Sequence, residues 1–407
     1  MRRLPRPHLR SLALLGLVAV IGGGLAIAVP LLASGSTNAK TGSFYDSGAS
    51  LDLHPAAGNF KPDDTKLASC GENPRCYEQA FGNLAYYDGP TSTLKLYMQT
   101  MQTNSTVESD CHRIAHTIGS AALAHFHGNV SEAFALGTSA CWSGYYHGIL
   151  ERSFAKASTP AKFREIARSV CASHSLQSNT WLLYQCVHGL GHGLMIQSGY
   201  NLPFSLKICH QLQTSWDQIS CTGGVFMENF AAGVTSVYGV KSPYVKDSDL
   251  LYPCDAVAKR DKLYCYLMVT SRILEANGYD WKATAQTCAR AEAGWKATCF
   301  QSFGRDADGN SRQKPQKVLQ LCRIAGAWER ECVIGAAKDM TANYANGKVA
   351  STFCNIVRPG QRAYCFWGVG QILGSLHTDL AGRTQACAEL TRRYARVCAR
   401  GANGLSL

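Results

Sequence analysis

Short helix-forming segments follow one another along most of this chain, and glycine or proline separates them at regular intervals. From Ala283 to Ala293 the chain consists of good helix formers, Gly294 interrupts it, and Trp295 to Phe303 resumes a helical composition. Gly304 and the Asp308-Gly309 pair then predict the end of the second segment. The pattern predicts a helical hairpin, and we expect the same unit several times.

Cysteines repeat together with these hairpins. In the last four units the second cysteine stands at positions 299, 332, 365 and 398, a step of 33 residues. A fixed step of this size is typical of an array built from one supersecondary unit. Both cysteines of a pair lie at similar distances from the turn, so we expect them to face each other and form a disulfide. The seven predicted pairs are Cys171/Cys186, Cys209/Cys221, Cys254/Cys265, Cys288/Cys299, Cys322/Cys332, Cys354/Cys365 and Cys387/Cys398.

Glycine recurs three residues after the second cysteine in six units. Because glycine inside a helix costs about 1 kcal/mol relative to alanine, its recurrence on one helical face predicts a close approach between neighbouring helices. The predicted fold is therefore all-α, an α/α helical-hairpin repeat solenoid with about one disulfide per hairpin. The six glycines are Gly144, Gly189, Gly224, Gly335, Gly368 and Gly401.

In length and helix-pair layout the unit resembles secreted, disulfide-stapled Sel1-like and tetratricopeptide-type helical repeat proteins. The resemblance covers about residues 160–400 and is one of architecture. Those families place their cysteines closer together, and the tetratricopeptide Trp/Leu/Gly/Tyr signature is absent here. The resemblance therefore implies stacked helical hairpins and carries over no functional residue.

The number of cysteines and the amino terminus both predict export. The 407 residues include 18 cysteines, which indicates an oxidising compartment. Four arginines precede an uncharged segment, residues 11–33, that is long enough to span a bilayer. We favour an uncleaved anchor with an extracytoplasmic remainder, and the alternative is secretion after cleavage of a signal peptide near Leu32-Ala33-Ser34.

The chain divides into five predicted regions. They are a cytoplasmic basic tail at 1–10, a transmembrane anchor or signal segment at 11–33, a flexible linker at 34–65, a histidine-rich helical region at 66–230 and disulfide-stapled repeats at 231–407. The last region is basic, because residues 310–407 hold 14 Lys and Arg against 5 Asp and Glu. This surplus predicts either an anionic surface partner or only a solvated face, and nucleic acid is not expected outside the membrane.

Histidines are concentrated in the fourth region, and several lie four residues apart. Residues at this spacing share one face of a helix, so each pair can present two ligands together. Counting six residues from the second cysteine places His147 and His192 at equivalent positions, with Glu228 close to the third. Imidazoles with carboxylates are a common ligand set for zinc, copper or iron. The predicted metal ligands are His112, His116, His147, His188 and His192, and the predicted acid/base groups are Glu151 and Glu228.

Three functions fit these residues. The first is a membrane-anchored extracytoplasmic protein with a metal-dependent site, in which hydrolysis and oxidative chemistry are equally compatible and catalysis itself stays open. The second is a non-enzymatic scaffold that binds a protein, peptide or glycan on its repeat surface, with histidines that only pack or sense pH. The third is a copper storage or delivery protein that also uses Met227.

Overall fold

The computed structural model describes residues 44–45, 60–138, 140–231, 242–377 and 379–407. The predicted basic tail, the apolar segment 11–33 and most of the linker lie outside these ranges. Within them all regular structure is helical, as predicted, and no helix is both long and apolar enough to cross a membrane.

Twenty α-helices make up the described part of the chain, together with two short 3-10 helices at Leu67–Ser69 and Gly326–Trp328. They are α1 (Pro74–Tyr87), α2 (Pro90–Thr103), α3 (Ser105–Ser109), α4 (Cys111–His125), α5 (Val130–Ala135), α6 (Ala140–Phe154), α7 (Pro160–Ser169), α8 (His174–Gln177), α9 (Thr180–Gln197), α10 (Leu202–Cys209), α11 (Ser215–Ala231), α12 (Lys259–Ala276), α13 (Trp281–Ala289), α14 (Lys296–Asn310), α15 (Pro315–Ile324), α16 (Glu329–Asn343), α17 (Lys348–Ile356), α18 (Pro359–Leu376), α19 (Leu380–Leu390) and α20 (Ala395–Ala402).

The second helix of each hairpin packs against the second helix of the next one. This gives one continuous series, α1, α4, α6, α9, α11, α12, α14, α16, α18 and α20, with the shorter helices outside it. Contacts also join α6 to α16 and α9 to α18, in each case five steps apart in the series. A simple solenoid has contacts between adjacent repeats only. The series of helices therefore curves back so that members five steps apart come into contact. The solenoid arrangement stays a prediction.

All seven predicted hairpin disulfides form, with Cα atoms 5.3–5.8 Å apart. The two remaining pairings, which the spacing left open, are Cys70–Cys76 and Cys111–Cys141. The second of these joins the first residue of α4 to α6. The described part of the chain has no free cysteine.

Two details of the predicted hairpins are wrong. Helix α14 does not end at Gly304 but continues to Asn310, directly after the Asp308-Gly309 pair that was also predicted to end it. In the unit of Cys254 and Cys265 the first arm consists of turns rather than a helix. Pro253 lies in that arm, and without an N–H group it cannot continue a helix.

Glycines allow the closest helix crossings, and they work in reciprocal pairs. Of the six predicted glycines, Gly224, Gly335 and Gly401 lie in these pairs, whereas a Cβ added to Gly189 would have only ordinary contacts of 3.4 Å or more. A Cβ added to Gly335 on α16 would lie 1.9 Å from the carbonyl oxygen of Gln301, and one added to Gly304 on α14 would lie 1.9 Å from that of Cys332. The same reciprocal contact joins α4 to α6, α9 to α11 and α18 to α20. The other glycines of these pairs are Gly119 with Gly148, Gly191 with Gly224, and Gly370 with Gly401.

Two of these crossings bring histidine-bearing helices together. Gly148 on α6 lies against the backbone carbonyl of His116, and Gly224 on α11 lies against that of His188. A side chain at either glycine would collide with the carbonyl, at 1.8 and 1.9 Å respectively. Close backbone approach therefore sets the distance across which the side chains of α4, α6, α9 and α11 can meet.

Candidate metal centre

The five histidines and two glutamates singled out in the sequence come together in one buried cluster on four helices. Helix α4 carries His112 and His116, and α9 carries His188 and His192. Helix α6 lies between them with His147 and Glu151, and α11 carries Glu228. Only His112 is partly exposed, since the other six residues have 1–7% of their surface exposed.

Histidines four residues apart point their Nε2 atoms at each other in both pairs. The distance is 3.2 Å between His112 and His116, and 3.4 Å between His188 and His192. Two imidazole nitrogens bound to one tetrahedral zinc ion, with Zn–N bonds of about 2.0–2.1 Å, lie about 3.3 Å apart. Both pairs therefore have the nitrogen spacing of two ligands of one ion.

The outward-facing nitrogens of three of these rings are held by oxygen atoms. His112 Nδ1 lies 2.7 Å from the carbonyl oxygen of Cys141, and since a carbonyl only accepts, the imidazole must donate there. His116 Nδ1 lies 3.4 Å from Oε2 of Glu151, and His192 Nδ1 lies 2.9 Å from Oε2 of Glu228. Metal-binding histidines almost always have such a partner on the second nitrogen, because it fixes the tautomer and the ring orientation.

A single proton shared between the two nitrogens could account for each pair without any metal. His147 has no comparable explanation. It is 1% exposed, and neither of its ring nitrogens has a hydrogen-bond partner among the described residues. A buried polar group left unsatisfied costs about 1–3 kcal/mol. The unpaired nitrogens of His147 therefore indicate a ligand that lies in this cluster.

His147 completes a three-nitrogen site with the pair on α4. One ring nitrogen from each of His112, His116 and His147 lies within 4.8 Å of the others. The ring centres are 4.7, 5.4 and 5.4 Å apart, and the rings are inclined to one another by 64–75°. Three imidazoles on one face of a metal ion have ring centres about 5 Å apart, so this triad is nearly formed.

With the pair on α9, His147 forms a second group of three nitrogens, also within 4.8 Å of one another. Here the rings are arranged differently, because His147 stacks on His192 at 3.9 Å with an interplanar angle of 16°. That separation is shorter than the roughly 5 Å expected for two ligands of one ion. The second triad therefore needs the His147 ring to turn before it can close.

Burial keeps the imidazoles neutral, which is the form that binds metals. Loss of hydration, assisted by the neighbouring imidazole of His116, lowers the pKa of His112 to about 4. Burial also lowers the pKa of His116 to about 4 and that of His188 to about 3. Burial also lowers the pKa values of His147 and His192 well below the ordinary value, and repulsion from the charged forms of neighbouring imidazoles lowers them further.

Both carboxyl groups are buried behind the histidines. Burial, followed by the charges of Glu228 and Glu78, raises the pKa of Glu151 to about 8. Burial also raises the pKa of Glu228, while the Tyr200 hydroxyl, 3.0 Å from Oε1, favours its ionised form. Each glutamate lies on the Nδ1 side of a ring, the side opposite the converging Nε2 atoms. This placement suits a positioning residue, and the predicted acid/base role remains untested.

Glu228→Gln tests this positioning role. The amide keeps the shape but carries no charge and can present its NH₂ group to His192, so the preferred tautomer is lost. We expect the His188/His192 pair to bind metal 10- to 100-fold more weakly in a competition titration with a chelator of known affinity, as is typical when such a partner is changed. Glu165→Gln is the control, because Glu165 is exposed on α7 and paired only with Lys162. Equal affinities in both variants would contradict the role.

Two tyrosines near the cluster were not found from the sequence. Tyr184 stacks on His188 with ring centres 5.4 Å apart, and Tyr200 donates to Glu228. No motif marks either residue, since Tyr200 reaches Glu228 only because the chain turns sharply after α9, with a φ angle of 60°. Three other aromatic residues on α6 and α11, Tyr145, Tyr146 and Phe226, are buried core residues. Met227 packs against the hydrophobic core beside them.

Comparison with known protein families, with curated proteins and with solved structures found no match to this chain. What the cluster can do is therefore inferred from its own residues and their geometry.

Proposed function

We propose that this protein is an extracytoplasmic metalloprotein in which His112, His116 and His147 hold a transition-metal ion. The observation that carries the proposal is His147, a buried imidazole with two unpaired nitrogens that faces a pair of histidines at the nitrogen spacing of metal ligands. A packing role for the histidines would leave these two nitrogens unexplained.

The ligand set narrows the metal to zinc, copper or non-haem iron, because neutral imidazoles suit these ions. Three protein ligands leave at least one position on a tetrahedral ion open, as in catalytic sites, whereas structural zinc sites are closed by four ligands. Thiolates are not available to close it, since every cysteine in the described part of the chain is in a disulfide. Hydrolysis at a metal-bound water and oxidative chemistry both need such an open position.

Nine disulfides indicate that the site works in an oxidising compartment. We propose that the segment 11–33 delivers the chain there and keeps it at the membrane, with the metal centre outside. A partner for the basic C-terminal region remains a prediction from charge alone.

The metal content of the full chain tests the proposal. The protein is produced without a histidine tag in an oxidising compartment, purified in mild detergent and analysed by elemental mass spectrometry. We expect at least one equivalent of a single transition metal, which the His116→Ala variant should lose. His174→Ala is the matched control, because His174 is exposed on α8 and should leave the metal unchanged. A folded wild-type protein that takes up no zinc, copper(II) or iron(II) on titration would refute the proposal.

A further inference from the structure

We propose that the centre is dinuclear, with a second ion held by His188 and His192 and with the imidazole ring of His147 bridging the two ions. This inference rests on the proposed metal site and adds the number of ions and the link between them. It concerns the pair on α9, which the first ion does not use.

The position of His147 is the first step. Its ring lies 5.4 Å from both rings of the α4 pair, and 5.8 and 3.9 Å from those of His188 and His192 on the other side. The two nitrogens of an imidazole are separated by one ring carbon and point in diverging directions, so they can bind two different ions, and both are without hydrogen-bond partners here. A ring between two chelating pairs, with both nitrogens available, has the arrangement of a bridging ligand.

The second pair has the same nitrogen spacing as the first, and one of its two rings is fixed from behind. His188 and His192 are 5% and 1% exposed, and their Nε2 atoms are 3.4 Å apart. The His192 ring is fixed by Glu228 at 2.9 Å, and Glu228 is held in turn by Tyr200 at 3.0 Å. A chain of two fixed residues behind a ligand is a costly arrangement for a residue that only packs, and it is typical of metal sites.

Charge balance also favours two ions. Each pair has its own buried carboxyl group, Glu151 behind His116 and Glu228 behind His192. Two divalent ions bring four positive charges, against which two carboxylates and a bridging imidazolate supply three negative charges. Each ion would therefore have one buried carboxyl group behind its own pair of histidines.

The two ions should bind in sequence. The first triad has its rings nearly in place, whereas the second requires His147 to leave its stack on His192. When the second ion binds, a metal–nitrogen bond replaces the remaining N–H bond of His147, and the proton passes to water. Binding of the second ion is therefore weaker and releases one proton from the bridging ring.

Titration of the metal-free full chain with copper(II), followed by electron paramagnetic resonance, tests the bridge. The signal should grow up to one equivalent and then fall between one and two equivalents, because two copper(II) ions joined by an imidazolate couple antiferromagnetically. In the His188→Ala/His192→Ala variant we expect one equivalent with a full signal. In His147→Ala any copper that is bound should remain uncoupled.

The outcomes separate the two proposals. Saturation of wild-type protein at one equivalent, or two equivalents whose spins are fully recovered, overturns the dinuclear bridge and leaves the single metal site intact. Uptake of no copper, zinc or iron overturns both. The decisive titration uses wild-type protein, so it does not depend on the folding of any variant.

Discussion

Gly335→Ala is expected to be among the most destabilising single-methyl additions in this protein. The added Cβ would lie 1.9 Å from the carbonyl oxygen of Gln301, whereas a carbon and a carbonyl oxygen in favourable contact are about 3.3–3.6 Å apart. Helices α14 and α16 would have to separate by about 1 Å or more, and a gap of that size removes a quarter to a half of each dispersion contact it opens. We expect the free energy of unfolding in urea to fall by about 3 kcal/mol or more.

Gly360→Ala is the matched control for this prediction. Gly360 lies in the first turn of α18, and an added Cβ meets no atom within 4 Å. Alanine is the better helix former, so this variant should be unchanged or slightly more stable. If Gly335→Ala lost no more stability than Gly360→Ala, the crossing would not be tight, and glycine would recur there for another reason.

Gly224→Ala tests a crossing between two helices that carry residues of the proposed metal site, whereas Gly335→Ala tests a crossing outside it. An added Cβ there would lie 1.9 Å from the carbonyl oxygen of His188, so the change displaces a proposed ligand as well as a helix. The atoms nearest to a Cβ added at Gly335 belong to Gln301, which is not a proposed ligand. The folded fraction of Gly335→Ala should therefore keep its metal affinity, while Gly224→Ala should lose affinity together with stability.

The disulfide framework and the helical class were predictable because they depend on local spacing. Cys288 and Cys299 flank one turn, so their distances from Gly294 were enough to pair them. Cys111 and Cys141 are separated by the rest of α4 and by α5, and only the packing of α4 on α6 brings their Cα atoms to 5.8 Å. Spacing therefore predicts the first kind of disulfide and leaves the second open.

Glycine shows why a local signal can have two meanings. Gly304 was interpreted as a helix end because glycine is common there. It lies in the middle of α14, where the missing Cβ makes room for the carbonyl of Cys332. Both uses depend on the same missing atom, and the neighbouring helix that distinguishes them begins at Glu329, 25 residues further along the chain.

Repeat register likewise predicted part of the site. Equivalent positions placed His147 and His192 on one surface with Glu228 nearby, and the structure brings these three residues together. The stacking of His147 on His192 depends on side-chain torsion angles, which spacing along the chain does not determine. The distinction between a nearly formed triad and one that must rearrange could therefore come only from the structure.

His147→Phe is expected to stabilise the metal-free protein, the opposite of the usual effect of changing a buried residue. The phenyl ring is similar in shape to imidazole and removes two buried nitrogens that have no partners. Each unsatisfied group costs about 1–3 kcal/mol, so we expect the free energy of unfolding of the metal-free protein to rise by about that amount. The measurement is urea unfolding in the presence of a chelator.

Adding metal should reverse the order of the two proteins. Zinc at 1,000 times its dissociation constant for wild-type protein should stabilise wild-type protein by about 4 kcal/mol. It should stabilise the variant much less, because the variant keeps only two-histidine pairs. His210→Phe is the control with a histidine that has one satisfied nitrogen. Its Nδ1 has no hydrogen-bond partner among the described residues, but its Nε2 lies 2.7 Å from Oδ1 of the buried Asp261. Its loss leaves that carboxylate short of a partner and should destabilise the protein with or without zinc. A large loss of stability in metal-free His147→Phe would instead mean that His147 is a structural residue, and its two unpaired nitrogens would then no longer indicate a ligand.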